Sequence, residues 1–346
     1  MGDAIVGVVA NPLSGRDIRR LVTHASVFPT AEKASMIQRM LTAFGAVGVH
    51  RVLLSTDLGG ISASVFRAVG RRRARGPGGR WPEVEFLDGQ PIRQTAQDTV
   101  DAVGRMVTAG ARVIVCLGGD GTARVTAAAA GDVPMLALST GTNNVFPAVR
   151  EATTAGLAAG LVAVGAVPAD RAAARAKLLE VRVSDRSETA LVDVAVSTGR
   201  HVGARALWEP ATLTQLFCAF AEPDAIGLSS ILGQVAPVSR AQQLGVTALI
   251  QNHDPERKVV APIAPGLVVP VGIAGVRPMT PGTAYPVLAD AGVLAVDGER
   301  ELTFEPGTRP AVTLRTDGPW CVDVPAVLAA SARLGLLTRD QGGAHD

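Results

Sequence analysis

The stretch Arg112-Val113-Ile114-Val115-Cys116-Leu117, followed by Gly118-Gly119-Asp120-Gly121-Thr122 and then Ala123-Arg124-Val125-Thr126-Ala127-Ala128-Ala129-Ala130, decides how the chain is read. An apolar run that breaks into glycines and opens onto an alanine-rich segment predicts a buried strand, a tight loop and a helix over Thr122–Ala130. The first amides of such a helix have no partner within it, and together with the helix dipole they attract phosphate oxygens. Glycine is expected there because it tolerates φ > 0 and lets the backbone approach a ligand with no Cβ in the way. Asp120 is the odd residue, since a carboxylate among phosphate-binding amides would repel the ligand. Two roles stand open for it: holding Mg²⁺ or taking a proton from an attacking hydroxyl, or capping the helix. No Gly-x-x-x-x-Gly-Lys-Ser/Thr exists in the chain, and no Gly-x-Gly-x-x-Gly follows the first strand, so the two common nucleotide loops are excluded.

Working outward, the runs Ala4–Ala10, Val49–Leu54, Val84–Leu87 and Val133–Leu138 repeat the pattern of a short apolar strand ending in Gly, Asn, Asp or Ser. Candidate helices lie at Arg16–Thr23, Ala31–Phe44, Ile61–Arg73 and Ile92–Thr108. Strands apolar on both faces that alternate with helices predict a parallel sheet covered on both sides. The fold class is therefore α/β, with residues 1–145 an open, mostly parallel α/β domain. After a helix at Thr153–Val164 the pattern changes to short β segments: Leu178–Val183, Thr189–Val196, Val246–Gln251, Gly266–Val271, Gly292–Val296 and Ala311–Leu314. Turns such as Pro281-Gly282, Asp297-Gly298 and Pro306-Gly307 separate them. A mainly β domain is expected over 146–315, and a segment 316–346, with a helix at Pro325–Leu337, is expected to pack back on the first domain. The tail Gln341–Asp346 reads as disordered.

The 346 residues carry 33 basic and 31 acidic side chains, a formal charge of +2, so no overall field favours a nucleic acid or a membrane surface. Three well-separated cysteines make a disulfide framework implausible. Met1-Gly2-Asp3 does not resemble the start of a signal peptide, which predicts a cytoplasmic location. Ala155–Val167 is too short to span a bilayer, and Val259–Val276 is broken by Pro262, Pro265 and Pro270. The basic run Arg71–Arg80 reads as a solvated loop, with a grip on a substrate phosphate as the alternative. Lysine occurs only at Lys33, Lys177 and Lys258 in an arginine-dominated chain.

Two further loops sit at predicted carboxyl strand ends, where open α/β sheets bind ligands: Asn11-Pro12-Leu13-Ser14-Gly15 and Ser139-Thr140-Gly141-Thr142-Asn143-Asn144. Taken in order with Gly118–Thr122 and Asp297-Gly298-Glu299, these motifs resemble the superfamily that joins NAD kinases with diacylglycerol and sphingosine kinases. Within it the chain is most similar to the acetoin-catabolism X protein group. The resemblance implies that Asn11, Pro12, Ser14, Gly15, Gly118, Gly119, Gly121, Thr122, Thr140, Gly141, Thr142 and Asn143 bind ATP. It implies Asp120 and Glu299 as catalytic groups, Asp297 as a Mg²⁺ ligand, and Asn144 and Asp193 on the acceptor. Asp297-Gly298 also reads as a simple hairpin turn.

One departure concerns the acceptor. NAD kinases carry an Asn-Glu pair in a setting like Ala-Leu-Asn-Glu, and the comparable stretch here is Ala190-Leu191-Val192-Asp193, in which Val192 cannot make the amide's hydrogen bonds. His201, His253 and Trp208 read as surface or packing residues. The expected activity is ATP-dependent phosphoryl transfer to a hydroxyl of a small acceptor, with NAD the first candidate and a homo-oligomer the expected assembly. A lipid kinase, a kinase for an acetoin-pathway metabolite and a non-catalytic ATP- or NAD-binding accessory protein are the alternatives.

Overall fold

Strand β1 (Ile5–Ala10) lies between β2 (Arg51–Ser55) and β4 (Val113–Gly118), and the sheet continues outward to β3 (Glu83–Leu87) on one side and β5 (Met135–Ser139) on the other, all parallel. The computed structural model describes residues 3–15, 23–25, 27–74, 81–89, 91–141, 143–199, 205–207 and 209–338. The expected helix Arg16–Thr23 therefore falls almost wholly outside the described residues, as do His201, Trp208 and the tail. Helices α1 (Thr30–Val47), α2 (Ile61–Ala74), α3 (Ala96–Thr108), α4 (Asp120–Ala130) and α5 (Ala152–Ala163) connect or flank these strands.

The period-two alternation of each strand divides the core. Val6, Val8, Val52, Leu54, Val113, Val115 and Leu117 face one way and pack with α1 and α5. Ile5, Val9, Leu53, Ile114 and Cys116 face the other way, against α3, and their cluster runs on into Val181, Val194, Phe217 and Leu294 of the antiparallel half. Helix α3 starts at Ala96 rather than Ile92, because Asp98 accepts hydrogen bonds from the amides of Arg93 (2.9 Å) and Thr95 (3.3 Å) and so closes the first turn. Helix α4 starts two residues earlier than the pattern predicts, with Gly119 as its N-cap.

The remaining strands form two antiparallel sheets. One runs, in spatial order, Arg257–Ala264, Leu267–Met279, Gly245–Ile250, Leu213–Cys218, Asp193–Ser197, Gly292–Val296 and Glu299–Phe304. The other is Ala284–Pro286, Ala311–Arg315, Leu178–Val183 and Arg186–Ala190. Trp320–Val322 returns to the first sheet beside β5, and the helix Val324–Arg333 joins the apolar layer of α5 through Val324 and Val327. The expected single strand Thr189–Val196 is two strands, broken at Leu191-Val192. The turn Asp297-Gly298 is a hairpin turn with both residues at positive φ (49° and 77°) between Gly292–Val296 and Glu299–Phe304. Among the described residues no helix is long and apolar enough to cross a membrane.

Helices α1 and α5 approach closely because α5 presents Gly156 and Gly160. A Cβ on Gly156 would stand 3.0 Å from the Met40 backbone and from Ala43, and one on Gly160 would stand 2.5 Å from Val47. Gly156→Val should therefore lower unfolding stability by about 1–3 kcal/mol through overpacking. Gly70→Ala, in the open middle of α2 with no atom near the added methyl, should be neutral or stabilising by up to ~1 kcal/mol. Urea denaturation of the two variants beside the parent checks both.

Candidate functional site

After β1 the chain is carried toward β2, while the chain leaving β4 is carried toward β5 on the opposite side, so the two loops diverge and leave a crevice between the adjacent strand ends. The crevice is part of a cavity of about 580 Å³ lined by Asn11–Gly15, Gly119–Thr122, Gly141, Asn143 and Asn144, and closed from the antiparallel half by Asp297, Glu299 and Glu301.

Hydrogen bonds tie the three loops together. Asn11 donates Nδ2 to Thr122 Oγ1 (2.9 Å), its Oδ1 accepts the Leu13 amide (2.8 Å), and Ser14 Oγ lies 2.8 Å from Thr140 Oγ1. Asn144 donates to Ser139 Oγ (2.9 Å). Beneath the first loop, the fully buried Lys33 of α1 donates Nζ to the carbonyls of Asn11 (2.9 Å) and Ser14 (2.8 Å). Three of the loop glycines make room for neighbouring side chains rather than supply a positive φ, which corrects the expectation that they need it. Gly118, Gly119 and Gly141 have no positive φ, yet a Cβ would meet Thr122 at 2.5 Å, Asn144 at 2.8 Å and Asn144 at 2.4 Å respectively. Gly15, at φ 82°, is the one that needs its conformational freedom.

Asp120 does not cap its helix. It is the first residue of α4, and its buried carboxylate accepts hydrogen bonds from the amides of Val145 (3.1 Å) and Phe146 (2.7 Å), tying the loop after β5 to the glycine loop. Asp297 is engaged in a similar way. Its oxygens accept the amides of Leu191 (3.1 Å) and Val192 (2.8 Å), which is what breaks the strand predicted across those residues. Burial pushes the Asp297 carboxyl up to about 6 despite the opposing pull of Arg124 and the amides. Arg124, on α4, reaches Glu301 at 2.8 Å, Glu188 at 3.4 Å and Asp297 at 3.8 Å, and Arg205 also holds Glu301 at 2.7 Å. A Cβ added to Gly121 would stand 3.6 Å from the Glu299 carboxylate.

A curated relative, acetoin catabolism protein X of Cupriavidus necator, is 40% identical over 339 residues, covering 96% of this chain and 94% of its own length. The chain belongs to the acetoin catabolism protein X family. Residues 177–317 match the acetoin catabolism protein X C-terminal domain, and residues 6–167 match the ATP-NAD kinase N-terminal domain. Solved structures with a similar course include yeast NADH kinase complexed with NADH (TM-score 0.44, 15% identity, 99% of this chain and 90% of that one). A candidate diacylglycerol kinase from Bacillus anthracis strain Sterne is another (TM-score 0.47, 10% identity, 94% and 99%).

Of the residues singled out from sequence, Asn11, Pro12, Ser14, Gly15, Gly119, Asp120, Gly121, Asn143, Asn144, Asp297, Glu299 and Thr122 line the one cleft. Gly141 lines it as well, while Gly118 and Thr140 are not part of its lining. Thr142 is outside the described residues. Asp193 is buried away from the large cleft, beside a small void shared with Asp120, Asn143 and Asp297. Val192 is a core residue. Sequence reasoning missed Lys33, Arg124, Arg205 and Glu301, and also the wall formed by Ser55–Gly59 and Gln94–Thr99. The rarity of lysine was the signal that could have found Lys33.

The raised Asp297 carboxyl has a signed consequence. Between the usual carboxylate range and about pH 6 the folded chain holds a proton that the unfolded chain has released, so this group's contribution to stability falls as pH rises through that window. Asp297→Asn should remove that part of the slope, on the order of 2–3 kcal/mol across the window. Unfolding free energies of wild type and variant measured at several pH values across it give the comparison.

Proposed function

We propose that the chain transfers the γ-phosphoryl group of ATP to a hydroxyl group of a small acceptor. The observation that carries this reading is the cross-linking of three strand-end loops into one cleft, with the N-terminus of α4 opening on it and an acidic hairpin facing it. The volume suits a nucleotide-sized ligand.

The first-turn amides of α4 and the side chains of Asn11 and Thr122 would grip phosphate oxygens. Mg²⁺ fits the donor set, because it is commonly held by one or two carboxylates plus substrate phosphates and Glu299 stands at the cleft beside Gly121. Bound there, it would neutralise charge on the transferring group. Glu299 suits that task better than Asp297, whose two oxygens already accept backbone amides.

Asp120, whose oxygens already accept the Val145 and Phe146 amides, would orient the acceptor hydroxyl or take its proton, and a loose phosphoryl transition state asks for positioning above all. NAD is the first acceptor to test. With Val192 in the core and Asp193 away from the large cleft, the pair that NAD kinases present has no counterpart on that wall, which keeps a smaller metabolite in view.

Incubation with γ-labelled ATP over a panel of NAD, NADH, polyol, acetoin-type and lipid acceptors should transfer label to one class. ATP binding without transfer to any of them would leave a nucleotide-binding accessory protein. Asp120→Asn should lower kcat by roughly a hundredfold or more with ATP affinity retained. Gly119→Val, which drives a side chain into Asn144 and the phosphate space, should abolish ATP binding, read by calorimetry.

A further inference from the structure

The Val145–Phe146 segment is gripped from two sides. Its two amides donate to Asp120, and its two carbonyls accept from one arginine, Arg240, which gives Nη2 to Val145 O and Nη1 to Phe146 O (2.9 Å). The Val145 carbonyl and the Phe146 N–H belong to the same peptide group. That one peptide therefore sits between a guanidinium on its oxygen and a carboxylate, at 2.7 Å, on its hydrogen, an arrangement in which each hydrogen bond polarises and strengthens the other.

Arg240 is itself held in place. Its guanidinium lies over the rings of Phe220 (4.3 Å) and Phe146 (5.7 Å), and Nε is 3.2 Å from Glu222. The loop that carries it is pinned by the buried Lys177, whose Nζ donates to Ser239 O (2.9 Å) and Leu244 O (2.7 Å). The line of contacts thus runs from Lys177, at the start of the antiparallel half, through Arg240 and one peptide group to Asp120 in the glycine loop.

We propose that Arg240 is a positioning residue for Asp120: by fixing the Val145–Phe146 peptide it sets the direction of the Asp120 carboxylate, and so the antiparallel half controls the geometry of the phosphate cleft. This rests on the kinase reading for its effect on rate, though not for its effect on the loop. Arg240 lies outside the cleft lining, so its loss acts on the reaction through Asp120 and leaves nucleotide contacts untouched. The planar fork that reaches two carbonyls is specific to arginine. Lysine offers a point charge and only partial replacement.

The test uses the full chain with Arg240→Met, Arg240→Lys, Asp120→Asn and the double variant Arg240→Met/Asp120→Asn. Hydrogen exchange at Val145 and Phe146 should accelerate by about tenfold or more in Arg240→Met, less in Arg240→Lys, with the β4 and β1 amides unchanged. Where wild type transfers phosphate, Arg240→Met should lower kcat by about tenfold with ATP affinity within about twofold. The same change in the Asp120→Asn background should cost less than about twofold, because both substitutions remove one function. Unchanged exchange at Val145 and Phe146 overturns the proposal, and so do multiplicative losses in the double variant. A wild type that transfers nothing sinks the kinase reading instead, and the exchange data still decide the Arg240 contact.

Discussion

The divergence of the chain on either side of β1 and β4 is the constraint on which the rest depends. Two parallel strands lie side by side, and the segments that leave them are carried to opposite flanks of the sheet, so no local connection can fill the space between their carboxyl ends. The loops there must be held in place by side-chain contacts across the gap. The Asn11 to Thr122 bond and the Ser14 to Thr140 contact do this, and both use residues small enough to leave room above them. Gly118, Gly119 and Gly141 then follow as a steric necessity, because the side chains of Thr122 and Asn144 occupy the volume that their Cβ atoms would need.

Two buried lysines do the same work in the two halves of the molecule. Lys33 gathers carbonyls of the Asn11 loop, and Lys177 gathers carbonyls of the loop that carries Arg240. A compact ammonium on a long stem suits this, since it can gather several carbonyl oxygens around a single point, whereas a guanidinium needs partners in its plane. In a chain otherwise built with arginine, lysine at these positions is a matter of coordination geometry rather than of charge.

Legibility in the sequence followed the range of the cause. The strand, loop and helix around Gly118–Thr122 depend on neighbours a few residues apart, and the hydrophobic pattern showed them. The break at Leu191-Val192 was invisible because it is made by a carboxylate more than a hundred residues away. The 13-residue strand Leu267–Met279 was underestimated at Gly266–Val271: it pairs with Arg257–Ala264 over its first half and with Gly245–Ile250 over its second, so Pro270 and Pro278 each sit where only one neighbouring strand is bonded. Asp120 was found for its position in the motif, yet its partners, Val145 and Phe146, belong to a different loop whose approach no local signal announces.

The charge around the cleft gives the last step. Asp297, Glu299 and Glu301 enter from one hairpin, with Glu188 nearby, and the described cations that meet them are Arg124 and Arg205, both of which converge on Glu301. An anionic ligand entering beside this hairpin meets a surplus of negative charge. Burial raises the Asp297 carboxyl to about 6, so this group sheds its charge only as the pH falls toward that value. On the kinase reading proposed above, a triphosphate carrying a divalent cation would bring with it the offset that a bare phosphate ester would lack. On that reading Glu299, which lines the cleft outside the described Arg124 pairs and the amide cradle of Asp297, is the carboxylate proposed to receive the cation.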